Sequence, residues 1–152
     1  ISIPWESKKL YLSPIIDLYD NSIIEYELSF KNNNHLVFSM FEKAIKKYPD
    51  ARPIFHSDRG FQYTSSIFKN KIEEANMIQS MSRVGRCIDN GPMEGFFGTL
   101  KSEMFYGKTF KTLEELKERI VEYIEFYNEK RFQKRLKCMA PIEYRNHASK
   151  CA

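Results

Sequence analysis

Asp58 and Glu94 are the two residues of this sequence best placed to bind a metal ion. Asp58 follows the short apolar run at 53–56, which predicts a buried strand, and Glu94 follows Pro92, a residue favoured in the first turn of a helix. Carboxylates on such elements can bind the divalent ions that catalyse phosphodiester cleavage, and their hard oxygens suit Mg²⁺. Two acids far apart in sequence are weak grounds by themselves, because most acidic residues are solvent-exposed surface residues.

The segments around the two acids carry more information than the acids alone. They read HSDRGFQY at 56–63, SMSRVG at 80–85 and DNGPMEGFFGTLK at 89–101, followed by YIEFYN at 123–128 and MAPIEYR at 139–145. Together they resemble the catalytic core of bacterial insertion-sequence transposases, a family related to retroviral integrases. The resemblance extends over nearly the whole chain.

This resemblance implies an α/β chain with a ribonuclease H-like fold, in which helices flank a mixed central sheet. It also implies an Asp, Asp, Glu triad with 35 residues between the second Asp and the Glu, and 35 residues separate Asp58 from Glu94. The two residues then correspond to the second and third catalytic, metal-binding acids. The implied cofactor is Mg²⁺ or Mn²⁺. The implied reaction is cleavage at the ends of a DNA element and strand transfer into target DNA by a homo-oligomer.

Four basic residues close to the acids are candidate DNA contacts. In the family pattern Lys101 is the basic residue that follows the Glu, and a spacing of seven residues puts it on the same helix face as Glu94; an ordinary exposed lysine is the alternative. Arg59, Arg83 and Arg86 flank the acids and could bind phosphates, although plain solubility is a serious alternative for each.

The first Asp of the family pattern has no counterpart here, because residues 1–9 contain no Asp. Asp17 and Asp20 belong to a later hairpin and are not promoted to that role. Gly91 and Gly95 also replace the small Ala and the polar residue that the family usually has beside its Asn and Glu. We therefore expect one catalytic core domain over residues 1–152, truncated at its N-terminus with its first strand incomplete and nearly inactive alone.

Two other functions compete with this interpretation. One is a noncatalytic DNA-binding or dimerisation remnant of a degraded transposase, which the missing acid and the basic C-terminus favour. The other is a ribonuclease H-like nuclease that hydrolyses nucleic acid without joining it, using the same acids.

Positive charge is concentrated near the C-terminus. Residues 129–152 contain seven Lys or Arg against two Glu, whereas the whole chain has a net charge of +4. A basic cluster that includes Arg131, Lys134 and Arg135 suits DNA, because neutralised phosphates release counterions. A solvated basic tail is the alternative.

Composition sets the broad class. With 42% hydrophobic and 29% charged residues, the chain can form one globular domain with a core. No leader or long apolar segment is visible, which predicts a cytoplasmic protein without membrane contact. The cysteines Cys87, Cys138 and Cys151 are odd in number and widely spaced, so we expect free thiols.

Periodicity predicts the elements that must hold the two acids. Alternating apolar residues at 10–18 and 23–29 predict a hairpin, and helical spacing from Val37 to Tyr48 predicts a helix that ends at Pro49. The next helix should be capped by Thr64 or Ser65 and should direct Ile67, Phe68, Ile72 and Ala75 inward, before a strand at 77–81.

The second half of the chain reads as helical. A loop at 82–92 precedes a helix from Pro92 to about Met104. The clearest helix follows: Thr112 and Glu115 form a capping box, and its predicted buried stripe is Leu113, Leu116, Ile120, Ile124 and Tyr127. Strands followed by helices that alternate with single strands indicate an α/β fold.

Overall fold

Three strands open the chain and form one sheet in the order β1-β2-β3. The structure, a computed structural model, describes residues 2–5, 8–83 and 90–150. The strands are β1 (Ser2–Trp5), β2 (Lys8–Ile16) and β3 (Ile23–Ser29), and β1 pairs antiparallel with β2. Asn21, in the turn between β2 and β3, has φ of 62°, a conformation that asparagine tolerates better than most residues. The predicted hairpin is confirmed.

A second sheet pairs β4 (Ile54–Ser57) in parallel with β5 (Ile78–Met81). The connection between them contains α2 (Ser66–Glu74), as a parallel pair requires, because its strands cannot be joined by a tight turn. Both strands were predicted, and Asp58 comes directly after the end of β4.

Helices α1 (Asn34–Lys47) and α2 build an aromatic core against β4. Phe41, Phe55 and Phe68, one from each element, have ring centroids 5.2 to 5.5 Å apart. This edge-to-face cluster fixes the strand that leads to Asp58.

Ser65, one of the two predicted candidates, caps α2, and Asn33 caps α1. The prediction of inward-facing residues in α2 was wrong for Ile67. Ile67 is 56% exposed, because Phe68 and Ile72, four positions apart, define the buried face of α2.

Helices make up most of the rest of the chain. They are α3 (Gly91–Leu100), continued by a π-helical turn (Lys101–Phe105), α4 (Leu113–Glu129), a 3₁₀ turn (Lys134–Leu136) and α5 (Pro141–Lys150). Thr112 caps α4 through the amide of Glu115, as predicted. The buried stripe of α4 is confirmed except at Leu113, which is only half-buried, and it also includes Tyr123.

The chain forms two compact units. The first unit comprises Ile1–Pro14 and Glu25–Glu94, and the second comprises Ile15–Ile24 and Gly95–Ala152. Both proposed acids belong to the first unit. Within the described ranges, no helix is both long and apolar enough to cross a membrane. The predicted α/β class is confirmed, while the single domain over residues 1–152 stays a prediction.

Candidate active site

Asp58 lies in a tight turn that fixes one of its carboxylate oxygens. The Gly60 amide donates a 2.8 Å hydrogen bond to Asp58 Oδ1. A Cβ added at Gly60 would lie 2.9 Å from the same oxygen, so the glycine leaves room for the carboxylate in this position. The Asp58 side chain is exposed, so a bound ion or a DNA phosphate can reach it.

Tyr63 lies near Asp58 in the same motif. Burial raises the pKa of the Tyr63 hydroxyl, and the Asp58 charge raises it further, against a lowering hydrogen bond with Ser13. The phenol therefore stays neutral at physiological pH and can act only as a hydrogen-bonding group. Tyr63 is part of the HSDRGFQY motif, but the sequence alone indicated no role for it.

Glu94 lies in the first turn of α3, where the positive end of the helix dipole favours a carboxylate. Its side chain is exposed, like that of Asp58. In the part of the chain that the structure describes, no three His, Cys, Asp or Glu residues cluster to hold a metal ion. Two exposed carboxylates still fit Mg²⁺, which commonly takes one or two protein carboxylates and completes its shell with water and substrate phosphate.

Asp17 and Asp20 are held by other contacts in the second unit. Arg145 binds Asp17 Oδ2 through Nη2 at 2.8 Å and also pairs with Asp20, which is fully buried. The other Asp20 oxygen accepts the Ser22 amide at 2.8 Å. These bonds hold the β2–β3 turn against α5, and they agree with leaving both acids out of the predicted site.

The basic candidates near the acids have different surroundings. Arg59 is exposed and donates from Nε to the Ser82 carbonyl at 2.9 Å, which holds its guanidinium beside the Asp58 turn. Arg83 is exposed, and Lys101 is half-buried at the start of the π-helical turn. Arg86 and most of the predicted loop lie outside the described residues.

The three predicted basic contacts nearer the C-terminus also differ from one another. Arg131 forms a two-pronged ion pair with Glu103, with Nη2 to Oε1 at 2.7 Å and Nε to Oε2 at 2.9 Å. Tyr123 donates to the same carboxylate at 2.9 Å. Lys134 and Arg135 are exposed, and Arg135 donates to Asn21 Oδ1 at 2.6 Å.

The Arg131 pair changes the titration of Glu103. The hydrogen bonds from Arg131, followed by the one from Tyr123, hold the pKa of Glu103 below its usual value, although partial burial acts in the opposite direction. The carboxylate is therefore ionised at neutral pH, and Arg131 has a local structural partner.

Sequence and fold comparisons match known proteins along most of the chain. Two family models, both described as integrase core domain, match residues 1–87 and 94–148. The InsK protein of insertion sequence element IS150 from Escherichia coli K12 is 49% identical over 91% of this chain and 50% of its own length. A transposase-like protein of Haemophilus influenzae is 46% identical over 92% of this chain and 65% of its own length.

A solved structure shares the fold. The catalytic core domain of HTLV-2 integrase, in a dimeric magnesium complex, superposes with a TM-score of 0.74, covering 95% of this chain and 90% of its own, at 14% identity. That likeness confirms the predicted ribonuclease H-like fold. The chain spans about half to two thirds of the length of these two curated relatives.

Proposed function

This chain belongs to the integrase core domain family, and we propose that it supplies two catalytic acids of a transposase that cuts and joins DNA. The observation that best supports this proposal is where Asp58 and Glu94 lie in the fold. Both are exposed carboxylates of the first unit, one at a strand end and one in the first turn of a helix. Acids on such rigid elements can keep the geometry that metal-assisted displacement needs.

The proposed cofactor is Mg²⁺ or Mn²⁺. The HTLV-2 structure that shares the fold contains magnesium, which supports this choice. When bound, such ions activate the attacking oxygen and stabilise the leaving oxygen of the phosphodiester. The chain contributes the oxygens of Asp58 and Glu94, and the Gly60 amide orients the Asp58 carboxylate.

The proposed substrate is DNA, both the element's ends and the target. Lys101, Arg59, Arg83 and Arg86 would contact phosphates near the acids, and Lys134 and Arg135 would do so elsewhere on the surface. Arg131 was predicted to join this second group, but its ion pair with Glu103 makes it the weakest of the three candidates. We further propose that the active complex is a homo-oligomer that works in the cytoplasm, where bacterial DNA lies.

A noncatalytic DNA-binding remnant is the second candidate. One observation favours it: among the described residues no three His, Cys, Asp or Glu side chains cluster to hold a metal ion, and Asp17 and Asp20 are bound to Arg145. A nuclease that cuts without joining is a third candidate.

A strand-transfer assay separates the three. The protein is extended upstream to include the family's first Asp and is incubated with Mg²⁺, labelled element ends and target DNA. We expect cleavage and joining that are lost in Asp58→Asn and Glu94→Gln. They should persist in Glu74→Gln, an exposed acid of the same unit. DNA binding without cleavage would indicate the remnant, and cleavage without joining would indicate the nuclease.

A further inference from the structure

We propose that Ser82 is a positioning residue that joins the chain segments carrying Asp58 and Glu94. The inference rests on the proposed function, because it assigns Ser82 a role in holding those two acids. Ser82 lies just after β5, and its side chain is buried, with 5% exposure. Hydrogen bonds of a buried hydroxyl count strongly, since water cannot replace them.

On one side, Ser82 binds the segment of Asp58. Its amide donates to the Ser57 carbonyl at 2.9 Å, which continues the β4–β5 pairing up to the residue before Asp58. Its own carbonyl accepts from Arg59 Nε, the residue after Asp58. The backbone of Ser82 therefore holds both neighbours of this acid.

On the other side, the Ser82 hydroxyl reaches the segment of Glu94. Ser82 Oγ lies 3.0 Å from Oδ1 of Asn90, which immediately precedes α3 and comes four residues before Glu94. Ser82 and Asn90 flank residues 83–89 in the chain. This bond fixes the start of α3 relative to the end of β4, and both acids belong to the first unit.

The contacts of His56 indicate which acceptor receives the hydrogen bond of the Ser82 hydroxyl. Ser82 Oγ has one proton, and its possible acceptors are Asn90 Oδ1 and the Ser57 carbonyl at 3.2 Å. His56 Nε2 lies 3.2 Å from the same oxygen and can donate to it, while Nδ1 lies 3.1 Å from Ser80 Oγ. With the proton on Nε2, His56 donates to Ser82 and leaves the Ser82 proton for Asn90.

Removing the Ser82 hydroxyl should weaken the link between the segments that carry Asp58 and Glu94 without unfolding the chain. Ser82→Ala keeps the two hydrogen bonds of the Ser82 backbone, from its amide to the Ser57 carbonyl and from Arg59 Nε to its own carbonyl. The β4–β5 pairing therefore remains. It removes the bond to Asn90, and the Glu94 end of the site loses its link to the Asp58 end. Substitution of a residue that orients metal ligands from outside the coordination shell typically lowers metal affinity by about 10- to 100-fold.

The test is a titration of the ¹⁵N-labelled chain with Mn²⁺, in which the NMR line broadening of the Gly60 and Gly95 amide signals is measured. In the unaltered chain both signals should broaden with one midpoint. In Ser82→Ala and in Asn90→Ala the midpoint concentration should rise about tenfold, while the dispersed spectrum shows that the fold is kept. Ser80→Ala is the matched control, since the Ser80 hydroxyl also bonds His56 but does so at the ring nitrogen that faces away from Ser82, and its midpoint should stay within about twofold.

The outcomes separate the two proposals. Midpoints in Ser82→Ala and Asn90→Ala that stay within about twofold of the unaltered chain would overturn the role of Ser82 and leave the metal site standing. If Ser82→Ala unfolds, Asn90→Ala alone decides by the same criterion. Absence of broadening at both glycines in the unaltered chain would overturn the metal site itself, and the role of Ser82 with it.

Discussion

The Gly60 amide holds Asp58 Oδ1 at 2.8 Å, and a Cβ at Gly60 would come within 2.9 Å of that same oxygen. One residue therefore both orients the carboxylate and leaves room for it. The obstructed atom would be the end of a side chain, so a larger residue at position 60 would move the acid rather than break the backbone.

Gly60→Ala should accordingly weaken metal binding more than stability. We expect the Mn²⁺ midpoint to rise about tenfold, because the Asp58 carboxylate is displaced. The free energy of unfolding should fall by less than about 1 kcal/mol. Both are measurable on one sample, by NMR titration and by urea unfolding.

Gly98→Ala is the control for this substitution. A Cβ added at Gly98 would meet no atom within 4 Å apart from the adjoining backbone of α3, and alanine in a helix stabilises by about 0.5–1 kcal/mol relative to glycine. Its Mn²⁺ midpoint should not move. An unchanged midpoint in Gly60→Ala would show that the glycine does not position Asp58.

The Glu103 pair predicts a pH-dependent stability. Glu103→Gln should lower the free energy of unfolding by about 1 kcal/mol at pH 7, near the upper end for solvent-screened ion pairs. The folded-state pKa of Glu103 lies below its unfolded value, so the stabilisation is complete at neutral pH and is lost as the pH falls through the folded-state pKa. Urea unfolding at pH 7 and at acid pH should show the difference shrinking.

Glu122→Gln is the comparison, since Glu122 pairs with Arg119 on the exposed face of α4. Its effect should be small at both pH values. A Glu103→Gln difference that persisted undiminished in acid would contradict the assigned role of the carboxylate charge.

Several helices of both units follow from local sequence patterns, because caps and periodicity act over a few residues. Asn33, Ser65 and Thr112 cap the predicted helices for that reason. The Arg131–Glu103 pair was not predictable, since it joins residues 28 positions apart through tertiary packing. Ile67 was misplaced because apolar character alone does not fix the phase of a short helix.

The candidate site was predictable in part. The spacing and motifs singled out Asp58 and Glu94, but the burial of Tyr63 beside Asp58 and the Ser82–Asn90 hydrogen bond depend on tertiary packing and were not predicted. In the sequence, these three residues stood out only by lying inside the motifs that resemble the transposase family.

Neutralising Lys134 and Arg135 tests the DNA-binding prediction. The double change Lys134→Gln and Arg135→Gln should weaken binding to all DNA sequences alike and reduce the slope of log K against log salt by about 0.9 for each lost phosphate contact. Filter binding or fluorescence anisotropy across a salt series measures it.

Lys108→Gln with Lys111→Gln is the matched pair, because both lysines are exposed in the same unit but lie outside the proposed surface. That pair should leave the slope unchanged. Equal slopes in the two double variants would assign Lys134 and Arg135 to ordinary solvated surface.

The number of acids predicts the activity of the chain alone. Asp58 and Glu94 match two of the three acids of the family pattern, so we expect the 152 residues to show almost no Mg²⁺-dependent cleavage or joining, since a metal site that lacks one ligand loosens the geometry of in-line attack. Extension to include the family's first Asp should restore both activities. Robust strand transfer by the 152 residues would contradict the need for a third acid.

The location of a bound ion tests the central claim most directly. Crystals of the chain soaked in Mn²⁺ should give an anomalous-scattering peak in contact with carboxylate oxygens of both Asp58 and Glu94, which then lie within roughly 4–8 Å of each other. A peak elsewhere, or ordered carboxylates well beyond about 10 Å apart, would contradict a shared metal site at these two acids.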